Sequence, residues 1–513
     1  MISDLVPDAK TWDRFAAPPW TELSDPWRQL DEQLPPDHLA REIRDAMPLL
    51  DLSPLYATYR GRGKAPHRPD LMLAIVLFEL RRGKGKPSQW YQDTHETYPL
   101  WWLGFGIRPA RSCWYDFRDR AGASLDTLNA TLLHQAVEAG VSTAQRGALD
   151  GSAVAANASR RRLLNSERLE KRLQQLEAAS EDDAQGEVPG EVPGWMANTP
   201  SSRLQQRDRY EQAQEQLATR QALNAQRPAS QRREADKIVI SPGDPEAALG
   251  LDKEHVFRPL YTVQTVRDLD SPLILAYEVF AQATDAATLP PMLRRQQQLT
   301  GRSLQDLLVD SGYVTGMDLA ECAAQGVTLY GPWQANDWSE PKAATRFSKD
   351  DFTWRRDLEA YVCPAGQLLK RTGCHTRLCS GGRQVLMETY RGEAQTCQSC
   401  PLREQCTTSK KEGRSVQRSE HEELIEAHRA WMATAEAKRV YRLRGQTIEI
   451  VFADVKEHRG LRRFSGHGLT RVRTEFALEV LLHNLLVVQR SLKQRRNEEM
   501  INQSIHHRTH FFC

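Results

Sequence analysis

Asp150, Asp310 and Glu449 are three carboxylates on separate segments that a fold could present to one point. Asp150 ends the apolar approach of Arg146-Gly-Ala-Leu-Asp-Gly-Ser152 and stands before a glycine turn. Asp310 closes the short apolar run Asp306-Leu-Leu-Val-Asp310. Glu449 belongs to Ile448-Glu-Ile-Val-Phe-Ala-Asp-Val-Lys456. Read as a helix, that last string gathers Ile448, Val451, Phe452 and Val455 on one apolar face, with Glu449 and Lys456 two turns apart along its edge. Three hard oxygen donors suit a pair of Mg²⁺ or Mn²⁺ ions. Two such ions ~3.5–4 Å apart serve phosphodiester chemistry by activating a nucleophile and stabilising the leaving oxygen. Among 67 acidic residues, spacing alone carries little weight, because strand-end aspartates often cap turns and a helical Glu beside a Lys is usually a surface ion pair.

Cations gather around the third carboxylate. From Lys438 to Thr474 ten Lys/Arg face three acids, a local +7, and Arg459, Arg462, Arg463, Arg471 and Arg473 carry it through glycine-containing loops. Pro54 to Lys86 holds a second patch, local +6. The whole chain sums to only +2, so a polyanion would be held by patches and not by a global field. Phosphate contacts of this kind position a duplex without reading its sequence, and they weaken steeply with salt.

Cysteines give a further signal. Cys397-Gln-Ser-Cys400, Cys406 and the upstream Cys363-Pro364 could offer four thiolates to one tetrahedral Zn²⁺, with Cys363 reached across a hairpin. Cys374, His375 and Cys379 are possible substitutes or unbound thiols. Cys113 and Cys322 read as buried apolar residues.

The elements that must position these groups form a mixed α/β pattern. Residues 20–145 are mainly helical: Leu39, Ile43, Met47 and Leu50 recur at helical spacing, and Leu71 to Leu80 is a more buried helix. Trp101, Trp102, Phe105 and Trp114 read as core packing. From Arg160 to about Pro228 a Gln-, Arg- and Glu-rich helical hairpin is broken by tandem Gly-Glu-Val-Pro at 186–189 and 190–193. Tyr261–Val266 and Leu273–Phe280 read as a β-hairpin, followed by helix 287–299, strand 306–309, helix 317–324 and strand 327–330. Helices are expected at 420–438, 440–456 and 474–492, and a disordered tail carries His506, His507, His510 and Cys513.

The strings Leu149-Asp-Gly-Ser152 with Ala156-Asn-Ala-Ser159, Val309-Asp-Ser-Gly-Tyr313, and Ile448 to Lys456 with Gly460-Leu-Arg-Arg-Phe464 resemble the signature segments of DDE transposases. The most similar group is that of the bacterial insertion sequences numbered eleven-eighty-two, within the four/five-type superfamily. Pro36-Asp-His-Leu-Ala40, Gly61-Arg-Gly63, Pro66-His-Arg-Pro69 and Phe117-Arg-Asp-Arg120 resemble that group's helical N-terminal domain, so the likeness spans about residues 30–490. It implies a ribonuclease H-like catalytic core at 146–334 and 431–492, interrupted by a helical insertion at about 160–250 and a cysteine-rich, zinc-ribbon-like insertion at 335–430. A helical DNA-binding region (1–145) would precede the core and a tail (493–513) follow it. It also implies that Asp150, Asp310 and Glu449 hold the catalytic ions, and that Tyr441, Arg444 and Lys456, with Arg459, Arg462 and Arg463, meet double-stranded DNA. Four residues separate Arg444 from Glu449 where the broad signature has three, which makes Arg444's role less secure than that of Lys456. Glu457 is the competing third acid, but it lacks the matching string. The partners implied are transposon-end and target DNA and at least one further copy of the chain. The rival functions are a metal-dependent nuclease or resolvase without integration, and a zinc-bearing DNA-binding regulator with a dead triad.

At 513 residues the chain has room for roughly three domains. Its 40% hydrophobic and 27% charged content is that of a globular protein. The longest apolar stretch, Leu71 to Phe78, is far short of the ~18 residues a membrane span needs. With no cationic, then apolar, start and an odd nine cysteines, a reducing bacterial cytoplasm is expected, at the nucleoid by the resemblance.

Overall fold

The computed structural model describes residues 14–59, 64–186, 192–333, 346–448 and 452–509. They fall into two compact units: Met1–Thr284 with Arg294–Ser303 and Gln446–Cys513, and Asp285–Leu293 with Leu304–Gly445.

In the first unit the N-terminal helices are built as their sequence demands. Helix Pro69–Arg81 has Pro at its first position, where no amide donor is missed, and is buried along Pro69 to Leu80. Trp27 stacks on Trp102 at 5.6 Å, Trp90 meets Trp114 edge-on at 6.1 Å, and the expected aromatic core is there. Helix Arg111–Glu138 packs on the long C-terminal helix Leu469–Thr509. A Cβ on Gly122 would meet the Thr474 hydroxyl at 2.4 Å, so glycine lets the two helices approach this closely. The C-terminal helix does not end near Leu492. It runs on to Thr509 because residues 493–509 contain no Pro or Gly and include several good helix formers, Lys, Arg, Gln and Glu.

Strands β1 (Arg146–Ala155), β2 (Ala248–Leu251), β3 (Phe257–Asp268) and β4 (Ile274–Phe280) form this unit's sheet. β3 is central: β1 runs antiparallel along one side of it, while β2 and then β4 pair with it in succession. Asn484 completes the edge of β4 with its amide, accepting from Ile274 N and donating to Ile274 O, each at 2.9 Å. The hairpin of helices Ser166–Gln185 and Pro200–Ala225 closes on its own core, where Leu169, Leu173 and Leu176 meet Tyr210, Ala213, Leu217 and Ile240. Asn165 and Thr199 cap the two helices, and Arg203 is buried against Asp183. Most of the first Gly-Glu-Val-Pro repeat and the start of the second lie outside the described residues, as do Arg60 to Gly63 of the basic turn.

In the second unit β5 (Asp306–Leu308) and β6 (Thr328–Tyr330) pair in parallel, with helix Gly316–Ala324 between them in the chain. An antiparallel sheet then takes in β7 (Thr353–Arg355), β8 (Ala360–Val362), β9 (Leu368–Leu378), β10 (Gln384–Gly392) and β11 (Ser415–Ser419), in spatial order β11-β10-β9-β8-β7. Its core is small and aromatic: Phe352, Tyr361, Leu369, Tyr390 and Val416. The described residues are thus mixed α/β, with sheets and many helices, as the sequence pattern requires. No helix among the described residues is long and apolar enough to cross a membrane.

Candidate active site

β1 is buried from Gly147 to Leu149 and first opens at Asp150, which is half-buried. The sequence suggests a turn after Asp150. Instead the strand continues through Gly151 to Ala155, because β3 offers a partner at every step, Asp150 facing Thr265 and Gly151 facing Gln264. The Asp150 carboxylate accepts from Gly151 N at 2.8 Å.

In the second unit Val309 N donates to Tyr330 O at 2.8 Å, which extends the β5–β6 ladder by one residue and leaves Asp310 as the first residue beyond it. Asp310 caps the turn Ser311–Tyr313, accepting from Gly312 N at 2.8 Å, as an Asp-Ser-Gly string favours. Its side chain remains 42% exposed, and the Arg444 guanidinium stands 3.9 Å from it, loose for an ion pair but close enough to offset charge. The extra residue between Arg444 and Glu449 therefore does not carry Arg444 away from an acidic partner. Tyr441 is partly exposed at the end of helix Ala435–Tyr441.

Glu449 lies outside the described residues, as do Ile450 and Val451. The single helix expected over 440–456 is not found. Helix Ala435–Tyr441 gives way to the short helix Leu443–Thr447, and Asp454–His458 forms a π-helical turn. Turns at Arg442 and Ile448 break it, and Gly445 with the β-branched Thr447 and Ile448 disfavours a continuous helix there. The chain on either side is nevertheless pinned. Arg267 of β3 donates to Thr447 O at 2.6 Å, Ile448 and Phe452 are buried, and Lys456 Nζ donates to Ala153 O of β1 at 2.7 Å. Burial, with Lys253 nearby, lowers the Lys456 ammonium to about 8.

The basic patch divides by burial. Arg459 is only 4% exposed, donating to Glu479 O at 2.9 Å and pairing with the Glu479 and Asp454 carboxylates. Its charge is internal, so the expectation that it meets DNA is corrected to a structural role. Arg462 is exposed and paired with Glu457, while Arg463 is exposed at the mouth of a cleft. Arg471 and Arg473 pair with Asp119 and Glu278.

Among the cysteines, Cys363, Cys397, Cys400 and Cys406 are all partly buried, and no disulfide forms among the described residues. Burial raises the Cys406 thiol, Arg414 lowers it, and Cys397, Cys363 and Cys400 each raise it, so the four occupy one neighbourhood. Cys363 Sγ accepts from Gln367 N at 3.3 Å in a tight turn. Cys374 and His375 stand exposed on β9, and Cys379 follows its end. Electrostatic influence reaches further than a coordination bond, however. Among the described residues no group of three or more His, Cys, Asp or Glu is arranged to hold a metal ion.

Arg160, Arg161 and Arg258 line the cleft beside Arg463, and local pattern does not single them out. Their one signal in the sequence is the run Arg160-Arg-Arg162 directly after Ala156-Asn-Ala-Ser159, which merges with the charged start of the helical insertion. Residues 362–488 match the family model described as a transposase DDE domain. No curated protein and no solved structure matches the chain.

Proposed function

We propose that the chain, whose residues 362–488 match a transposase DDE domain, is the transposase of a bacterial insertion sequence, with Asp150, Asp310 and Glu449 as its ion-holding acids. It would bind the ends of the element as at least a dimer, cut there and join the freed 3′-hydroxyl to target DNA. The single observation that carries this is the match of residues 362–488, which take in Arg444, Glu449 and Lys456, to a transposase DDE domain. Within the first unit Lys456 is fixed to β1, three residues beyond Asp150, and within the second Arg444 stands beside Asp310. The antiparallel β4–β3–β1 set and the parallel β5–β6 pair support a ribonuclease H-like core, and residues 1–145 would supply end binding. The donors fit hard divalent ions, since Asp150 and Asp310 are carboxylates standing half-exposed at strand positions where a sheet opens. When bound, the ions would polarise the phosphoryl oxygen and lower the pKa of the attacking hydroxyl. The protein's own part is positional: Lys456 and Arg267 fix the strand-facing segment, and Arg444 balances the charge of Asp310. With Mg²⁺, the purified protein is expected to nick duplexes bearing the inverted repeats that flank its reading frame and to join the cut ends to a second duplex. Cutting without joining would leave a nuclease, and neither activity with such ends would end the proposal.

The cysteine neighbourhood supports a structural Zn²⁺ held by Cys363, Cys397, Cys400 and Cys406, which would draw in slightly to ligate it. The Phe352–Tyr361–Tyr390 core is small enough for a metal to matter to its stability. One zinc per chain by elemental analysis is expected, falling to near zero in Cys397→Ser, while Cys374→Ser keeps its metal. Zinc-free wild-type protein from zinc-supplemented cells would overturn the assignment.

A further inference from the structure

The end of β1 opens into a cleft with a mainly polar lining. It has a volume of about 590 Å³, and Asn157, Ser159, Arg160, Arg161, Arg258 and Arg463 line it. Ligand pockets of this size are ordinarily mostly apolar, whereas here only Ala158 and Val256 interrupt the polar wall. Arg258 is paired with Asp252 at 2.8 Å, but Arg160, Arg161 and Arg463 have no ion-pair partner among the described residues. Like charges gathered without acids cost repulsion, and guanidinium forks match phosphate oxygens bidentately.

The cleft is also firmly built. Ala155 N donates to Arg462 O at 3.2 Å and Phe464 N to Ala155 O at 2.9 Å, so the strand that carries Asp150 also carries Arg463 on a parallel bridge. Asn157 Nδ2 donates to Ser465 O at 2.6 Å, and Ser159 Oγ accepts from Arg161 N at 3.3 Å, which sets the turn presenting Arg160 and Arg161. Burial is the chief cause of the lowered Lys456 ammonium nearby; Lys253 and Arg462 add to it, against Glu254 and Asp252.

We propose that this cleft is a phosphate-backbone subsite for a DNA strand, gripping phosphates away from the one that is cut. Five residues of extended chain separate Asp150 from Ala155, roughly 17 Å at ~3.3 Å per residue. At ~3.4 Å of helix axis per nucleotide, the gripped phosphates lie about five steps from the scissile bond. The distance rests on the proposed role of Asp150; the phosphate grip itself does not.

The test uses the full chain, a fluorescent 30-base-pair duplex and EDTA, so that binding is read without cleavage. Arg160→Ala/Arg161→Ala/Arg463→Ala is expected to lower affinity at least tenfold near 0.1 M salt and to flatten the slope of log K against log salt by about 2–3, each lost contact being worth about 0.9. The same three positions changed to Lys should restore most of the slope but only part of the affinity, which separates charge from misfolding. A triple Ala variant with wild-type slope and affinity sinks the subsite while leaving the transposase reading intact. Wild-type protein that binds no duplex at low salt sinks the broader reading. Displacement of the duplex by millimolar inorganic phosphate at constant ionic strength, in wild type alone, would mark a free-phosphate site and overturn the assignment to a strand.

Discussion

Asp150→Asn and Asp310→Asn are each expected to slow strand cleavage by roughly 10³-fold or more while leaving duplex binding within about threefold of wild type. The chemistry asks for negatively charged oxygens, and an amide keeps the shape but not the charge that holds a divalent ion. Loss of one group that stabilises developing charge typically costs 10²–10³ in rate, and loss of an ion's ligand removes more than one such interaction. Both substitutions suit the fold. Asn at 310 can still accept from Gly312 N, since Asn caps turns as well as Asp does, and Asn at 150 still sits half-exposed opposite Thr265. Glu449→Gln belongs to the same series. The readouts are nicking of end-bearing duplexes with Mg²⁺ and anisotropy in EDTA. Cleavage within tenfold of wild type by any one variant, folded by circular dichroism, removes that residue from the site.

Local order was legible where period and punctuation agreed. The apolar run Leu71–Leu80, the β3–β4 hairpin around its Leu269–Pro272 turn and the β5–β6 alternation with helix Gly316–Ala324 all stand where the pattern puts them. Misreadings arose where a partner decided the outcome. Gly151 looks like a turn until β3 supplies a continuous edge, and Arg459 looks like a surface cation until Glu479 and Asp454 are found beside it in the interior. The partner acids lie twenty residues after and five before Arg459, on other turns of chain, so no local window reveals which of two neighbouring arginines goes inward. Arg463, four residues on, is outside. Thiol spacing offers its own signal along the sequence, whereas the arginine cleft offers none, because its members come from three separate stretches of chain.

Arg459→Met carries the largest expected effect on stability. The Glu479 carboxyl is fully enclosed, and desolvation raises it to about 7 despite the attraction of Arg459. Asp454 is held below its ordinary value chiefly by Arg459, against a desolvation that pushes the other way. Removing the guanidinium leaves the buried Glu479 carboxyl without its cation and the half-buried Asp454 with only Arg81, at 3.4 Å; breaking a buried pair of this kind costs about 3–5 kcal/mol. The sign with pH follows from Glu479. Its folded pKa lies above the unfolded value of ~4.3, so its contribution falls as pH rises from about 4.3 to about 7 and is level above that. Without Arg459 the folded value climbs further, which extends the falling window upward. The stability gap between wild type and variant should therefore widen between pH 6 and 8. Denaturant melts across that range check this, and Arg459→Met/Glu479→Gln should recover part of the loss by removing the orphaned acid. A gap that stays constant with pH, or a double variant no more stable than the single one, would mean that Arg459 acts through packing and not through its buried charge. Because the Asp454–His458 turn also holds Lys456 against β1, cleavage should fall in Arg459→Met and return in step with stability in the double variant.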